Sequence, residues 1–141
     1  MMEMVIVSQD RLTDEQDRDI HEGFAQDALL KGVFSQRFDG VLVAKEEVSG
    51  KDAGFLVWGS QYGRMNIAVV LVKEWYRGKA VGNALLKAAE ALARQEGLLA
   101  MYLSTMDHQA QPFYEKAGFV VVGRLESIGG FPGRVWLEKR L

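Results

Sequence analysis

The stretch Trp75-Tyr76-Arg77-Gly78-Lys79-Ala80-Val81-Gly82-Asn83-Ala84 gathers residue types that hold an anion. Glycines let a backbone come close to a ligand. The apolar periodicity that starts here predicts a helix over Lys79–Glu96, whose first free amides and dipole point at the same spot. Arg77 and Lys79 add two positive charges at the mouth, so a phosphate suits the chemistry. The same glycines equally suit a strand-to-helix turn with a packing role alone. Two common phosphate loops do not fit. A Walker loop needs a lysine where Asn83 stands, and the dinucleotide fingerprint needs glycines where Ala80 and Leu85 stand.

Arg77-Gly78-Lys79-Ala80-Val81-Gly82 resembles the Gln/Arg-x-x-Gly-x-Gly/Ala signature of the GNAT superfamily of N-acetyltransferases, which binds the pyrophosphate of acetyl-coenzyme A. Ala80 replaces the signature's first glycine, and a positive φ there would strain an alanine. Further on, Asp107-His108-Gln109-Ala110-Gln111-Pro112-Phe113-Tyr114-Glu115-Lys116-Ala117-Gly118-Phe119 is similar to the family's Asn-x-x-Ala-x-x-Phe-Tyr-x-Lys-x-Gly-Phe segment, with Asp107 for the asparagine. The two motifs follow in the family's order and span Met65 to Phe119. The chain also resembles a bacterial subgroup of unassigned substrate.

The resemblance implies a GNAT fold, acetyl-coenzyme A as co-substrate without a metal, and attack of a substrate amine on the thioester with both substrates bound. With no cysteine in the chain, an acyl-cysteine intermediate cannot form, which agrees with direct transfer. In this scheme the backbone of Lys79, Ala80, Val81, Gly82 and Asn83 holds the pyrophosphate, beside Gly78 and the Arg77 cation. The pantetheine arm runs along the strand ending at Leu71 and Val72, and an N–H near Leu71 faces the thioester carbonyl. Tyr114 occupies the family's acid position, and its phenol can donate to the departing thiolate. Phe113 and Tyr114 can equally pack the short helix on the sheet. Asp107 belongs to the coenzyme segment and also suits a helix cap, while Lys116 lies beside the coenzyme or faces water.

A general base is not marked. Met65–Val72 holds no glutamate, and Asn66 can orient a water but accept no proton. His21, Glu22, Glu74, Asp107 and His108 qualify by residue type alone. Trp58, Trp75 and Trp136 belong to packing or to the acceptor cleft. The acceptor is an amine of a small molecule or a protein, and the alternative is a non-catalytic coenzyme A-binding or regulatory module. Elements that shape the acceptor cleft also offer surfaces for a homodimer.

Positioning these residues requires one α+β domain over 1–141, with a mixed, mostly antiparallel sheet, a parallel βαβ core and helices on both faces. Strands are predicted at Met4–Ser8, Val41–Glu46, Ala53–Ser60, Met65–Val72, Leu98–Ser104, Phe119–Leu125 and Val135–Glu138, with helices at Asp14–Leu30 and Gln109–Ala117 besides the one above. Thr13-Asp14-Glu15-Gln16 has capping-box spacing. Met65–Val72 is apolar on both faces, which predicts a central strand with helices above and below. The length of 141 residues supports one core, and near-balanced charge, 17 basic against 19 acidic residues, argues against a nucleic-acid surface. No apolar run reaches the roughly 20 residues of a membrane span, and no secretory signal begins the chain, so a soluble cytoplasmic protein is expected.

Overall fold

The computed structural model describes residues 2–33, 36–106 and 110–141. The chain forms two compact units, residues 1–34 and 35–141. The N-terminal unit is built on one helix, α1 (Asp14–Leu30), whose boundaries match the sequence pattern. Thr13 and Gln16 close a capping box, each side chain bonding the other's backbone N–H at 3.1 and 2.9 Å. The expected strand Met4–Ser8 does not form. Its apolar, β-branched run is that of a strand, but among its described residues this unit offers no second strand to complete a ladder.

The larger unit holds β1 (Phe38–Lys45), β2 (Asp52–Gln61), β3 (Arg64–Val72), α2 (Val81–Gln95), β4 (Ala100–Met106), α3 (Gln111–Lys116), β5 (Val120–Leu125) and β6 (Arg134–Arg140). Six strands form one sheet in the order β1-β2-β3-β4-β6-β5. The β1–β2 and β5–β6 pairs are antiparallel and β3–β4 is parallel, as the hairpin and strand-helix-strand patterns imply. β6 enters between β4 and β5, so the last strand stands inside the sheet.

Both helices of this unit contribute to one core. Leu85, Leu86, Ala89 and Ala93 of α2 pack with Leu56, Met65, Ile67, Met101, Leu103, Val135 and Leu137 of the sheet, and Tyr114 and Phe119 extend the cluster. Their helical spacing puts the four α2 residues on a single stripe. Gly54 lets α2 come close: a Cβ there would lie 2.8 Å from the Leu71 carbonyl oxygen and 3.3 Å from Leu85 and Val81. The covering of β3 expected on both faces is found on one face within this unit, while Val69 and Leu71 on the other are about half exposed. Among the described residues no helix is long and apolar enough to cross a membrane.

Candidate functional site

The parallel pair at the centre of the sheet is short. β3 and β4 are in register only over Arg64–Asn66 and Ala100–Tyr102, and beyond these residues each strand runs on without pairing with the other. The cause lies in β3. Against β2, Val57 faces Val69 but Trp58 faces Ile67, which leaves Ala68 as an extra residue. Such a bulge bends the strand that carries it, and here the bend comes where β3 and β4 part. Past the bulge, Lys73 N–H donates to the Ala53 carbonyl at 2.9 Å. Antiparallel alternation then turns the backbone of Leu71 toward β2 and the backbone of Val70 and Val72 into the gap.

The anion loop closes one end of this gap. A single 3-10 turn, Glu74–Tyr76, leads to Gly78 at φ +75° and Ala80 at φ 61°, ψ 21°. Ala80 is thus held in the left-handed region, which the sequence marks as costly for any residue with a Cβ; the penalty is about 1 kcal/mol. It is the N-cap of α2, and no side chain caps the helix. The first intrahelical bond runs from Ala84 N–H to the Ala80 carbonyl, at 3.1 Å. Among the described residues, the amides of Val81, Gly82 and Asn83 therefore have no capping side chain. They border a cavity of about 300 Å³ lined by Val70, Val72, Tyr76, Arg77, Gly78, Ala80, Phe113 and Tyr114 as well.

Two cations of the loop are engaged within the protein. Arg77 lines the cavity while its Nε donates to the Val72 carbonyl at 3.2 Å, which braces the end of β3. The Lys79 ammonium lies 5.7 and 5.9 Å from the ring centres of Trp75 and Tyr76 and does not line the cavity. Leu71 is also outside the lining.

α3 supplies the opposite wall. Pro112 stands in its first turn, where no amide is lost. Tyr114 is 8% exposed, edge-on to Phe113 and Phe119 at 5.1 and 5.8 Å. Burial raises its phenol above the ordinary value of 10.0. The packing and the chemical readings of this residue are compatible, since its ring fills the core and its side chain also lines the cavity. Gly82 faces Phe113 so closely that an added Cβ would lie 3.1 Å from the ring. At the far end of α3, Lys139 Nζ donates to the Ala117 carbonyl at 2.8 Å and pairs with Glu90 of α2 at 2.5 Å. That partner holds the Glu90 carboxyl below the usual glutamate range.

A second cavity of about 560 Å³ adjoins the first through Asn83 and is lined by Lys87, Glu90, Arg94, Lys116 and Lys139 around Leu86, Met101 and Phe119. Lys116 therefore stands at this second cavity. Asp107 and His108 lie outside the described residues. His21 and Glu22 belong to the N-terminal unit, and Glu74 opens the 3-10 turn that leads into the loop. Trp75 is exposed, whereas Trp58 packs against the core with its indole N–H buried and unpartnered among the described residues. Sequence reasoning missed Val70 and Tyr76 as lining residues. Val70 could have been found from strand alternation once the register was known, and Tyr76 from its place in the loop.

A mixed sheet whose central parallel pair opens beside an uncapped helix N-terminus frames the cavity of this α+β domain. The chain belongs to the acetyltransferase (GNAT) domain family, whose profile matches residues 37–121. An acetyltransferase of Agrobacterium fabrum is 34% identical over 87 residues, a match that spans 62% of this chain and 64% of that protein. A crystal structure of an Agrobacterium tumefaciens protein described as an acetyltransferase superposes with a TM-score of 0.84 at 28% identity, over 98% of this chain and all of that one. A Bacillus anthracis structure of the same fold was solved in complex with acetyl coenzyme A; its TM-score is 0.67 at 20% identity, over 79% of this chain and 67% of that one.

Proposed function

We propose that this protein transfers the acetyl group of acetyl-coenzyme A directly to a primary amine of a small molecule or a protein, both substrates being bound together. One observation carries the reading: the open first turn of α2 and the Tyr114 side chain border the same cavity, at the gap between β3 and β4. The amides of Val81, Gly82 and Asn83 bind the diphosphate, aided by the helix dipole and by the guanidinium N–H groups that Arg77 does not spend on Val72. Lys116 and its basic neighbours in the second cavity receive the nucleotide end, which continues past Asn83. The gap-facing backbone of Val70 and Val72 holds the acyl arm as a partner strand would. An N–H of this pair, rather than that of Leu71, faces the thioester oxygen where negative charge develops.

The chemistry is the exchange of one bond for another. The amine nitrogen bonds to the acetyl carbon, the carbon–sulfur bond breaks, and the sulfur leaves with its electron pair. Tyr114 then donates its phenolic proton, or a hydrogen bond, to that sulfur, while the proton lost by the amine nitrogen passes to water, which restores the phenol. Burial keeps this phenol protonated throughout the neutral range, as an acid must be. The non-catalytic alternative draws on β3, where Met65–Val72 has no carboxylate to take the amine's proton.

The test is calorimetric titration with acetyl-coenzyme A followed by a thiol-release screen against a panel of amines. Binding together with amine-dependent release of coenzyme A supports the enzyme. Binding without release from any amine supports the module, and absence of binding removes both readings.

A further inference from the structure

Resting on the coenzyme reading of the cavity, we infer that Glu46 is a positioning residue: by holding the Tyr76 hydroxyl it fixes the β3–α2 loop in the shape that leaves the first amides of α2 open. The loop contains a conformation that it would not keep by itself. Ala80 sits at φ 61° with no side-chain cap on the helix behind it, and strained residues persist only where the surroundings over-determine them. Two ties come from within the segment, Arg77 Nε on the Val72 carbonyl and Lys79 over the two aromatic rings. Neither reaches beyond the end of β3, and the Lys73 N–H bond to the Ala53 carbonyl of β2 holds only the first residue of the loop.

The Tyr76–Glu46 bond reaches further. Tyr76 Oη donates to Glu46 Oε2 at 2.6 Å, linking residues 30 apart in sequence. Glu46 is itself well anchored. It begins the β1–β2 turn, where its N–H donates to the Lys51 carbonyl and its carbonyl accepts from Gly50 N–H, both at 2.8 Å. Just behind it, Lys45 pairs with Asp52 across the hairpin at 2.6 Å. Through Glu46, the rigid hairpin thus grips the ring that lines the anion cavity. This also gives a reason for a carboxylate so near a site that takes phosphates. A bare negative charge there would oppose binding, but this one is occupied with the Tyr76 hydroxyl, and the charges of Lys51 and Lys79 further favour its ionised form.

The test compares wild type, Tyr76→Phe, Glu46→Ala and the double variant by two measurements. Amide hydrogen exchange without ligand should speed up over residues 74–84 in each single variant, while the core strands are unchanged. Affinity for acetyl-coenzyme A should fall about five-fold in each, near the worth of one exposed hydrogen bond to a charged group, and no further in the double variant. Turnover at saturating coenzyme should be unchanged in Glu46→Ala, whose side chain lies outside the cavity lining. Glu46→Gln, which keeps an acceptor oxygen, should recover most of the affinity. Unchanged exchange and affinity in the single variants, or losses that add in the double variant, overturn the inference. If the wild type binds no acetyl-coenzyme A while exchange still speeds up, the coenzyme reading falls and the loop tie stands.

Discussion

The two ends of the β3–β4 pair differ in everything except their parallel direction. At the paired end Met65 stands opposite Met101, with 0% and 1% of their surfaces exposed, and α2 seals them with Ala89 and Ala93. At the open end Val70 and Val72 turn their backbones into a cavity edged by glycine, a strained alanine and an aromatic helix. One extra residue, Ala68, separates the two regimes. Apolar burial and complete hydrogen bonding concentrate stability at one end. At the other, backbone that β4 does not pair borders open space, with Arg77 Nε on the Val72 carbonyl, which is how a cavity can sit beside a core without weakening it.

The contrast breaks most readily in the core. Met65→Ala should destabilise the protein by about 3 kcal/mol, the usual cost of emptying a buried aliphatic site, whereas Val70→Ala at the open end should cost less than about 1 kcal/mol. Denaturant unfolding of both variants measures the difference, and equal losses would show that the open end carries load after all. Tyr114→Phe should invert the pattern. Stability and coenzyme affinity should stay close to wild type while kcat falls about 100-fold, the lower range for loss of a general acid. In the wild type, the raised phenol should sustain kcat past pH 10, because an acid is active below its pKa and burial moves that limit upward. An unchanged kcat in the variant removes Tyr114 from the chemistry.

A smaller effect should appear where α3 is tied down. The lowered Glu90 carboxyl contributes stability above its ordinary value of 4.5 and loses it as pH falls through the depressed value. The melting temperature should therefore drop as pH falls below about 4.5, and Lys139→Met should cost about 1 kcal/mol at neutral pH and flatten part of that drop. The smallest change should come from Ala80→Gly, which relieves a positive φ and should stabilise by about 0.5 kcal/mol after the greater flexibility of unfolded glycine is deducted. Calorimetric melting curves decide both.

Much of the site was legible from spacing. The glycine-bearing loop, the helix behind it and the Phe113-Tyr114 pair all appear around one cavity, because each is specified by neighbours in the chain. The Leu71 assignment shows what spacing lacks. Leu71 and Val72 are adjacent, yet only the register against β2 says which backbone faces the gap, and that register includes a bulge with no local signature. Lys79 shows the same limit for charge: its place in the motif puts a cation near the anion site, while the Trp75 and Tyr76 rings decide where the ammonium rests. Met4–Ser8 illustrates the converse, a strand-like pattern that has no ladder to join among the described residues of its own unit.

The sequence by itself determined the helices, with the ends of α1 matched and those of α2 and α3 displaced by one or two residues, the pairing of the hairpins, the family motifs and the absence of a cysteine nucleophile. These follow from periodicity, capping and residue chemistry, which act over a few residues or need only composition. Tertiary structure alone decided that β3 and β4 part at Ala68, that β6 enters the sheet between β4 and β5, that Tyr114 both packs and faces the cavity, and that Glu46 reaches Tyr76. Each of these brings together groups distant along the chain, and their meeting depends on strand register and burial that no local pattern encodes.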